Sequence, residues 1–165
     1  MSKLDVLILP GDGIGIEVTS EAIKVLTRVC ERGGIALSVE ESLFGGASID
    51  RHGEPITAAV LDRARSADGV LLGACGGPKW DHLPTDRRPE KGLLALRAHM
   101  EVYANLRPAR LFAALAEASP LKAERAQGFD FVVVRELVGG LYFGKPRFIQ
   151  GVLFDVPMQL PKNRQ

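Results

Sequence analysis

Three arginines, Arg97, Arg107 and Arg135, each close an apolar stretch rather than sit on a polar face. A guanidinium fixed at such an end offers a planar fork of donors that matches a carboxylate. Several together suit a small substrate with more than one acidic group, since each charged hydrogen bond is worth about 1.5–3 kcal/mol. Arg135 opens the run Arg135-Glu136-Leu137-Val138-Gly139-Gly140-Leu141-Tyr142, which places a phenol seven residues further on. With an ordinary pKa near ~10, a tyrosine can donate a proton where neighbouring charges tune it. Taken singly, an arginine is more often a solvated surface residue, and a tyrosine an aromatic packed at a strand edge.

A second candidate is the turn Gly11-Asp12-Gly13-Ile14-Gly15, between an apolar run and a helical pattern. Such a turn puts a helix N-terminus where an anion would be favoured. Its spacing, however, is G-x-G-x-G, and Glu17 occupies the place of the last glycine in the dinucleotide fingerprint. A carboxylate there stabilises the helix dipole and repels a pyrophosphate. The turn therefore reads as a tight strand-to-helix connection, with phosphate binding as the alternative. Cys30 and Cys75 form no C-x-x-C pair, and no histidine lies at finger spacing, so neither a zinc site nor a disulfide framework is indicated.

The elements that would carry these groups alternate. Leu4 to Leu9 is apolar except for Asp5 and ends at Pro10-Gly11, as a buried strand does. Val18, Ala22, Val25, Leu26 and Val29 predict a helix from Glu17 to Arg32 with that stripe buried, ended by Gly33-Gly34. Ile35, Leu37 and Val39 alternate as in a half-buried strand. Thr57 is placed to cap a short helix through Arg65, Gly69 to Ala74 reads as a buried strand, and Pro89 starts a helix bearing Leu93, Leu94, Leu96 and Arg97. Val102 to Leu106 and Ala109 to Phe112 read as two strands divided by Arg107-Pro108, and Phe129 to Val134 as the most strongly buried strand. Strands alternating with helices predict an α/β architecture with a mostly parallel sheet.

With 165 residues, 46% hydrophobic and 25% charged, the chain has the composition of an ordinary globular domain. A net charge of +1 gives no sign of a nucleic-acid or membrane partner. The amino-terminal apolar stretch is too short for a signal peptide or a membrane span, so a reducing, cytoplasmic setting is expected.

Six segments resemble the 3-isopropylmalate dehydrogenases, a branch of the isocitrate/isopropylmalate dehydrogenase family. In chain order they are Leu9-Pro10-Gly11-Asp12-Gly13-Ile14-Gly15, Phe44-Gly45-Gly46-Ala47, Gly76-Gly77-Pro78-Lys79-Trp80-Asp81, Gly92-Leu93-Leu94-Ala95-Leu96-Arg97, Tyr103-Ala104-Asn105-Leu106-Arg107-Pro108 and the run from Arg135 to Arg147. The related isocitrate, homoisocitrate and tartrate dehydrogenases share the arginines and the glycine loop; the Gly-Gly-Pro-Lys-Trp-Asp and paired-leucine features favour the isopropylmalate branch. The resemblance implies a two-domain α/β fold distinct from the Rossmann fold, of which this chain holds an incomplete part. Residues 1–99 would begin the cofactor-binding domain, 100–151 would begin the substrate and dimer domain, and 152–165 would be an irregular tail outside the family pattern. It also implies NAD-dependent oxidative decarboxylation of 3-isopropylmalate to 4-methyl-2-oxopentanoate in leucine biosynthesis, by a cytoplasmic homodimer that uses magnesium or manganese.

On the same resemblance, Arg97, Arg107 and Arg135 clamp the substrate carboxylates, Leu93 lies beside its branched alkyl group, and Tyr142 protonates the enolate. Ile14, Gly77, Pro78, Lys79, Trp80, Asp81 and Glu90 fall where the family contacts its cofactor. Read without it, Gly77 to Asp81 is an ordinary surface loop and Leu93 and Leu94 are core residues, the preferred reading for Leu94. Ile16 and Cys75 depart from the family pattern. The family's metal-binding aspartates, its proton-abstracting lysine and most of its dimer contact are expected beyond this chain, whose product is expected to be inactive alone. The alternatives are a non-catalytic remnant, a subunit of a mixed assembly, or a tartrate- or isocitrate-type enzyme.

Overall fold

The apolar run after Lys3 becomes β1 (Lys3–Gly11), the middle strand of a three-stranded parallel sheet, in a computed structural model that describes residues 2–126 and 128–137. The sheet order is β2-β1-β3, with β2 at Ala36–Glu41 and β3 at Gly69–Ala74. A middle strand of a parallel sheet is covered on both faces and needs continuous hydrophobicity. Val6, Leu7, Ile8 and Leu9 are accordingly all buried. The described residues fall in two compact units, one ending at Glu101 and the next starting at Val102.

Alternate residues of a strand point to opposite faces. Leu7 and Leu9 join Phe44, Ile56, Ala64 and Leu96 in one core cluster, and fully burying a side chain of this size is worth about 1.5–3 kcal/mol. Ala64 and Leu96 come from α3 (Ala58–Ser66) and α4 (Glu90–His99), which cover that face. Thr57 caps α3 as expected, its Oγ1 accepting from the Val60 N–H at 3.4 Å. Arg63 on α3 reaches both neighbouring strands, donating to Asp5 at 2.8 Å and to Glu40 at 2.6 Å.

The long helix α1 (Ile14–Gly33) contributes nothing to this cluster and lies on β1 and β3. The stripe expected to be buried is not the one that faces the sheet. Gly15, Thr19 and Cys30 are buried and Ala22 and Leu26 half-buried, whereas Val18, Val25 and Val29 are exposed, Val25 by 64%. Close approach explains the choice. A Cβ on Gly15 would collide with the Pro10 carbonyl oxygen and come within 2.7 Å of the Ala74 nitrogen, so only small residues fit the contacting face. Gly34, in the left-handed conformation, ends the helix by donating to the carbonyls of Cys30 and Glu31. In β2 only Leu37 of the apolar residues is half-buried; Val39 is exposed.

In the second unit β4 (Ala104–Arg110) pairs antiparallel with β5 (Asp130–Glu136), and the short α5 (Ala123–Ala126) lies between them in sequence. Two expectations are corrected here. Arg107-Pro108 does not divide two strands: both lie inside β4, Pro108 opposite Val132, because β4 is an edge of the sheet among the described residues and an edge tolerates proline. Nor is the Phe129–Val134 run buried, since every residue of β5 is exposed among the described residues. No helix of the described residues is long and apolar enough to cross a membrane.

Candidate active site

The carboxyl ends of β1 and β3 lie side by side, where open α/β sheets bind ligands. Asp12, directly after β1, is 4% exposed and organises this rim. Its Oδ2 accepts from the backbone N–H groups of Gly46 at 2.7 Å and Gly76 at 2.8 Å, and its Oδ1 from Ala47 at 2.8 Å. One carboxylate thus ties three loops: the turn after β1, the start of α2 (Gly46–His52), and the loop after β3. Its own N–H donates to the Ala74 carbonyl at 2.8 Å. Sequence reasoning passed over Asp12 as part of a glycine turn; its place between two flanking glycines was the available signal.

Beyond Gly76 the loop turns through a 3-10 segment, Pro78–Trp80. Lys79 Nζ donates to Asp50 Oδ2 at 2.6 Å, and Trp80 Nε1 donates to Asp50 Oδ1 at 3.1 Å. The Lys79 ammonium stands 5.2 Å from the Trp80 ring centroid, close enough for a cation–π contact. Hydrogen bonds from Lys79 and then Trp80 hold the Asp50 carboxyl below its ordinary range. The Trp80 indole also lies where a Cβ on Gly46 would be, so that position admits only glycine. Asp50 was not singled out from the sequence, where nothing links an exposed carboxylate to a loop so far along the chain.

Ile14 opens α1 on the same rim and is 60% exposed. Glu90, at the first turn of α4, is exposed with its Oε1 against Gly76. Cys75 is half-buried; burial, then Glu90 and Asp12, push its thiol up, with Arg97 opposing them. The rim therefore combines glycine backbone, an exposed apolar side chain, a carboxylate and a cation.

Arg97 leaves the last turn of α4 half-buried and makes no hydrogen bond or ion pair among the described residues. Leu93, one turn earlier, packs partly against the core cluster. Leu94 is 40% exposed, so the core reading preferred for it fails. Position i+4 from Glu90 turns away from the face that Leu93 and Leu96 share.

In the second unit the β4–β5 register sets Asn105 opposite Arg135 and Arg107 opposite Val133. Cross-strand partners and residues two apart share a face, so Arg107 and Arg135 lie on one side of the sheet as diagonal neighbours, about 7–8 Å apart. Arg107 Nε donates to Asn105 Oδ1 at 2.7 Å, which directs its guanidinium along that face. Tyr142 lies outside the described residues. A cavity of about 350 Å³ in this unit, lined by Ala109, Arg110, Leu121 and Phe129 among others, contains none of the expected site residues.

The profile of isocitrate/isopropylmalate dehydrogenases matches residues 5–160. The chain belongs to that family. A 3-isopropylmalate dehydrogenase of Pseudomonas fluorescens (strain Pf0-1) is 55% identical over 147 residues, 89% of this chain and 41% of the relative. Its counterpart from Anaeromyxobacter dehalogenans is 56% identical over 142 residues, 86% of this chain and 40% of the relative. The chain thus spans about two fifths of the length of these relatives. Among solved structures it resembles a β-decarboxylating dehydrogenase from Thermococcus kodakarensis in its apo form, with TM-score 0.61 and 32% identity over 90% of this chain and 38% of that one. It also resembles isocitrate dehydrogenase from Methylococcus capsulatus, with TM-score 0.58 and 27% identity over 86% of this chain and 36% of that one. The isocitrate/isopropylmalate dehydrogenase family thus accounts for an α/β chain whose glycine turn departs from the Rossmann pattern.

Proposed function

We propose that this chain carries the cofactor loop and the substrate arginines of an NAD-dependent oxidative decarboxylase acting on 3-isopropylmalate, in leucine biosynthesis. The observation that carries this is the diagonal pair Arg107 and Arg135 on one sheet face, in a chain 55% identical to a 3-isopropylmalate dehydrogenase. Arg107 and Arg135 grip the substrate carboxylates with charged hydrogen bonds; on the first unit, the family pattern assigns Arg97 to a substrate carboxylate and Leu93 to the isopropyl group. In the reaction the C2–H hydride leaves the substrate, the hydroxyl proton goes to a base, and the C2 carbonyl forms. The C–C bond to the β-carboxylate then breaks, carbon dioxide departs, and the enolate carbon takes a proton from Tyr142.

NAD, when bound, accepts the hydride. Ile14, Gly77, Pro78, Lys79, Trp80, Asp81 and Glu90 would hold it, and the rim fits: at Gly77 a Cβ would meet nothing closer than the Trp80 ring at 3.6 Å, and Ile14 and Glu90 are exposed. The described residues do not fit the family's magnesium or manganese, since no group of three or more His, Cys, Asp or Glu there could hold a metal ion. A homodimer and a cytoplasmic location complete the proposal.

Calorimetric titration with 3-isopropylmalate, malate and tartrate tests it. 3-Isopropylmalate should bind more tightly than malate by a factor set by the alkyl contact, about 1–3 kcal/mol. Arg107→Met or Arg135→Met should weaken binding about tenfold to 100-fold. Equal affinity for malate and 3-isopropylmalate, or unaltered binding in both variants, would refute the substrate assignment.

A further inference from the structure

We infer that Asp50 is the positioning residue of the 76–81 loop, an assignment that rests on the cofactor role proposed above for that loop. By fixing Lys79 and Trp80, it sets where the Gly76-Gly77 backbone lies and so how tightly a dinucleotide is held. The geometry carries this. Arg88 holds the loop's far end, its Nη2 donating to the Asp81 carbonyl at 2.8 Å, and the two anchors before it are carboxylates on other elements. At its start Gly76 N–H is held by the buried Asp12, 2.8 Å away. Three residues on, Lys79 and Trp80 are both held by Asp50, at 2.6 and 3.1 Å, from the last turns of α2. Between the anchors lie Gly77 and Pro78, whose backbone makes a 3-10 turn from the Gly77 carbonyl to the Trp80 N–H at 3.0 Å. Both oxygens of Asp50 are used, one per loop residue, so a single side chain orients a cation and an aromatic ring together.

The second anchor differs in kind from the first. Asp12 is buried and holds backbone, so removing it disturbs the whole rim. Asp50 is partly exposed, with 42% of its side chain accessible, and holds side chains, so it tunes the loop without supporting the core. Because α2 begins with the residues that Asp12 also holds, Gly46 and Ala47, the two anchors share a rigid base. Placement errors of an ångström in such a contact region are felt as large factors in binding and rate.

Trp80 is the chain's one tryptophan, so its emission reports the latch directly. The experiment uses the full chain and NADH as the probe. Asp50→Ala removes both acceptors. Asp50→Asn keeps an oxygen for the indole, drops the ion pair with Lys79, and guards against a folding failure of the alanine variant. Excitation at a wavelength selective for tryptophan, trypsin cleavage after Lys79, NADH titration and the thermal midpoint are read on all three proteins. Asp50→Ala should red-shift Trp80 emission, speed cleavage after Lys79, and weaken NADH binding about tenfold or more, with the midpoint falling by no more than an exposed ion pair contributes. Asp50→Asn should lie between. Unchanged emission and cleavage in Asp50→Ala would overturn the latch, and an emission shift with unaltered NADH affinity would overturn its link to binding. A wild-type chain that ignores NADH would instead sink the cofactor role of the loop, while emission and cleavage still decide whether Asp50 holds it.

Discussion

Asp12 and Asp50 perform related tasks by different physics. Asp12 is buried and spends its lone pairs on three backbone N–H groups, so it behaves as part of the scaffold. Asp50 meets solvent and satisfies a lysine and an indole, so its contribution depends on its own charge. Its carboxyl is held below the ordinary value of 3.8, first by the hydrogen bond from Lys79 and then by that from Trp80. A carboxylate whose folded pKa is depressed contributes stability above its unfolded pKa and loses it as pH falls through the folded value. The Lys79–Asp50 tie should therefore persist on acidification past 3.8 and fail only below it. Carboxyl-carbon NMR, with Asp50 assigned by the Asp50→Asn variant, should give a midpoint under 3.8, and Lys79→Met should move it back toward that value. A midpoint at or above 3.8 in the unaltered protein would show that the tie does not exist in solution.

At the scale of elements, α1 shows what periodicity reveals and what it leaves open. A helix here is legible from the spacing of Val18, Ala22, Val25, Leu26 and Val29, but spacing alone does not say which of two adjacent stripes meets the sheet. The deciding quantity is distance. α1 approaches β1 and β3 so closely that Gly15, Thr19 and Ala22 form the contact and the valines are left beside it. Substituting Gly15 tests that account, because two effects oppose each other. Alanine is favoured over glycine inside a helix by about 1 kcal/mol. Against this, the added methyl would meet the Pro10 carbonyl oxygen and the Ala74 nitrogen, both backbone atoms of strands that cannot yield. Overpacking of this sort costs about 1–3 kcal/mol or more, so Gly15→Ala should lower the urea midpoint despite the better helix former. Gly33→Ala, near the far end of α1 where a Cβ finds only the Ile35 side chain at 3.5 Å, should not. Other elements were legible because their signals are local: Thr57 as a cap, Gly69–Ala74 as a strand, Pro89 before a helix. The continuous β4 through Arg107-Pro108 was not, since proline marks a break unless pairing partners are known.

At the scale of the whole chain, pairing and exposure matter most, and neither is written in a local pattern. The sites read from sequence separate into a first-unit group, Ile14, Gly77 to Asp81, Glu90, Leu93 and Arg97, and a second-unit group, Arg107 and Arg135. Their types and spacing were legible, whereas the face shared by Arg107 and Arg135 emerges only from the β4–β5 register. The same register lines up Leu106 opposite Val134 and Pro108 opposite Val132 on the sheet's other face. Leu106 is 63% and Val134 66% exposed, so a β-branched and aliphatic strip lies exposed on a sheet that is two-stranded among the described residues. Such a strip binds apolar dyes and pairs with other chains unless it carries charge. Replacing the directly opposed pair by Leu106→Lys and Val134→Glu puts opposite charges across the strands, a pairing worth about 0.2–1 kcal/mol, and removes the strip. The double variant should sediment with a larger monomer fraction at high concentration and bind less of an apolar dye than the parent. Circular dichroism should be unchanged, because the arginine face and the parallel sheet are untouched. If sedimentation and dye binding match those of the parent, this strip is not the surface through which the chain associates.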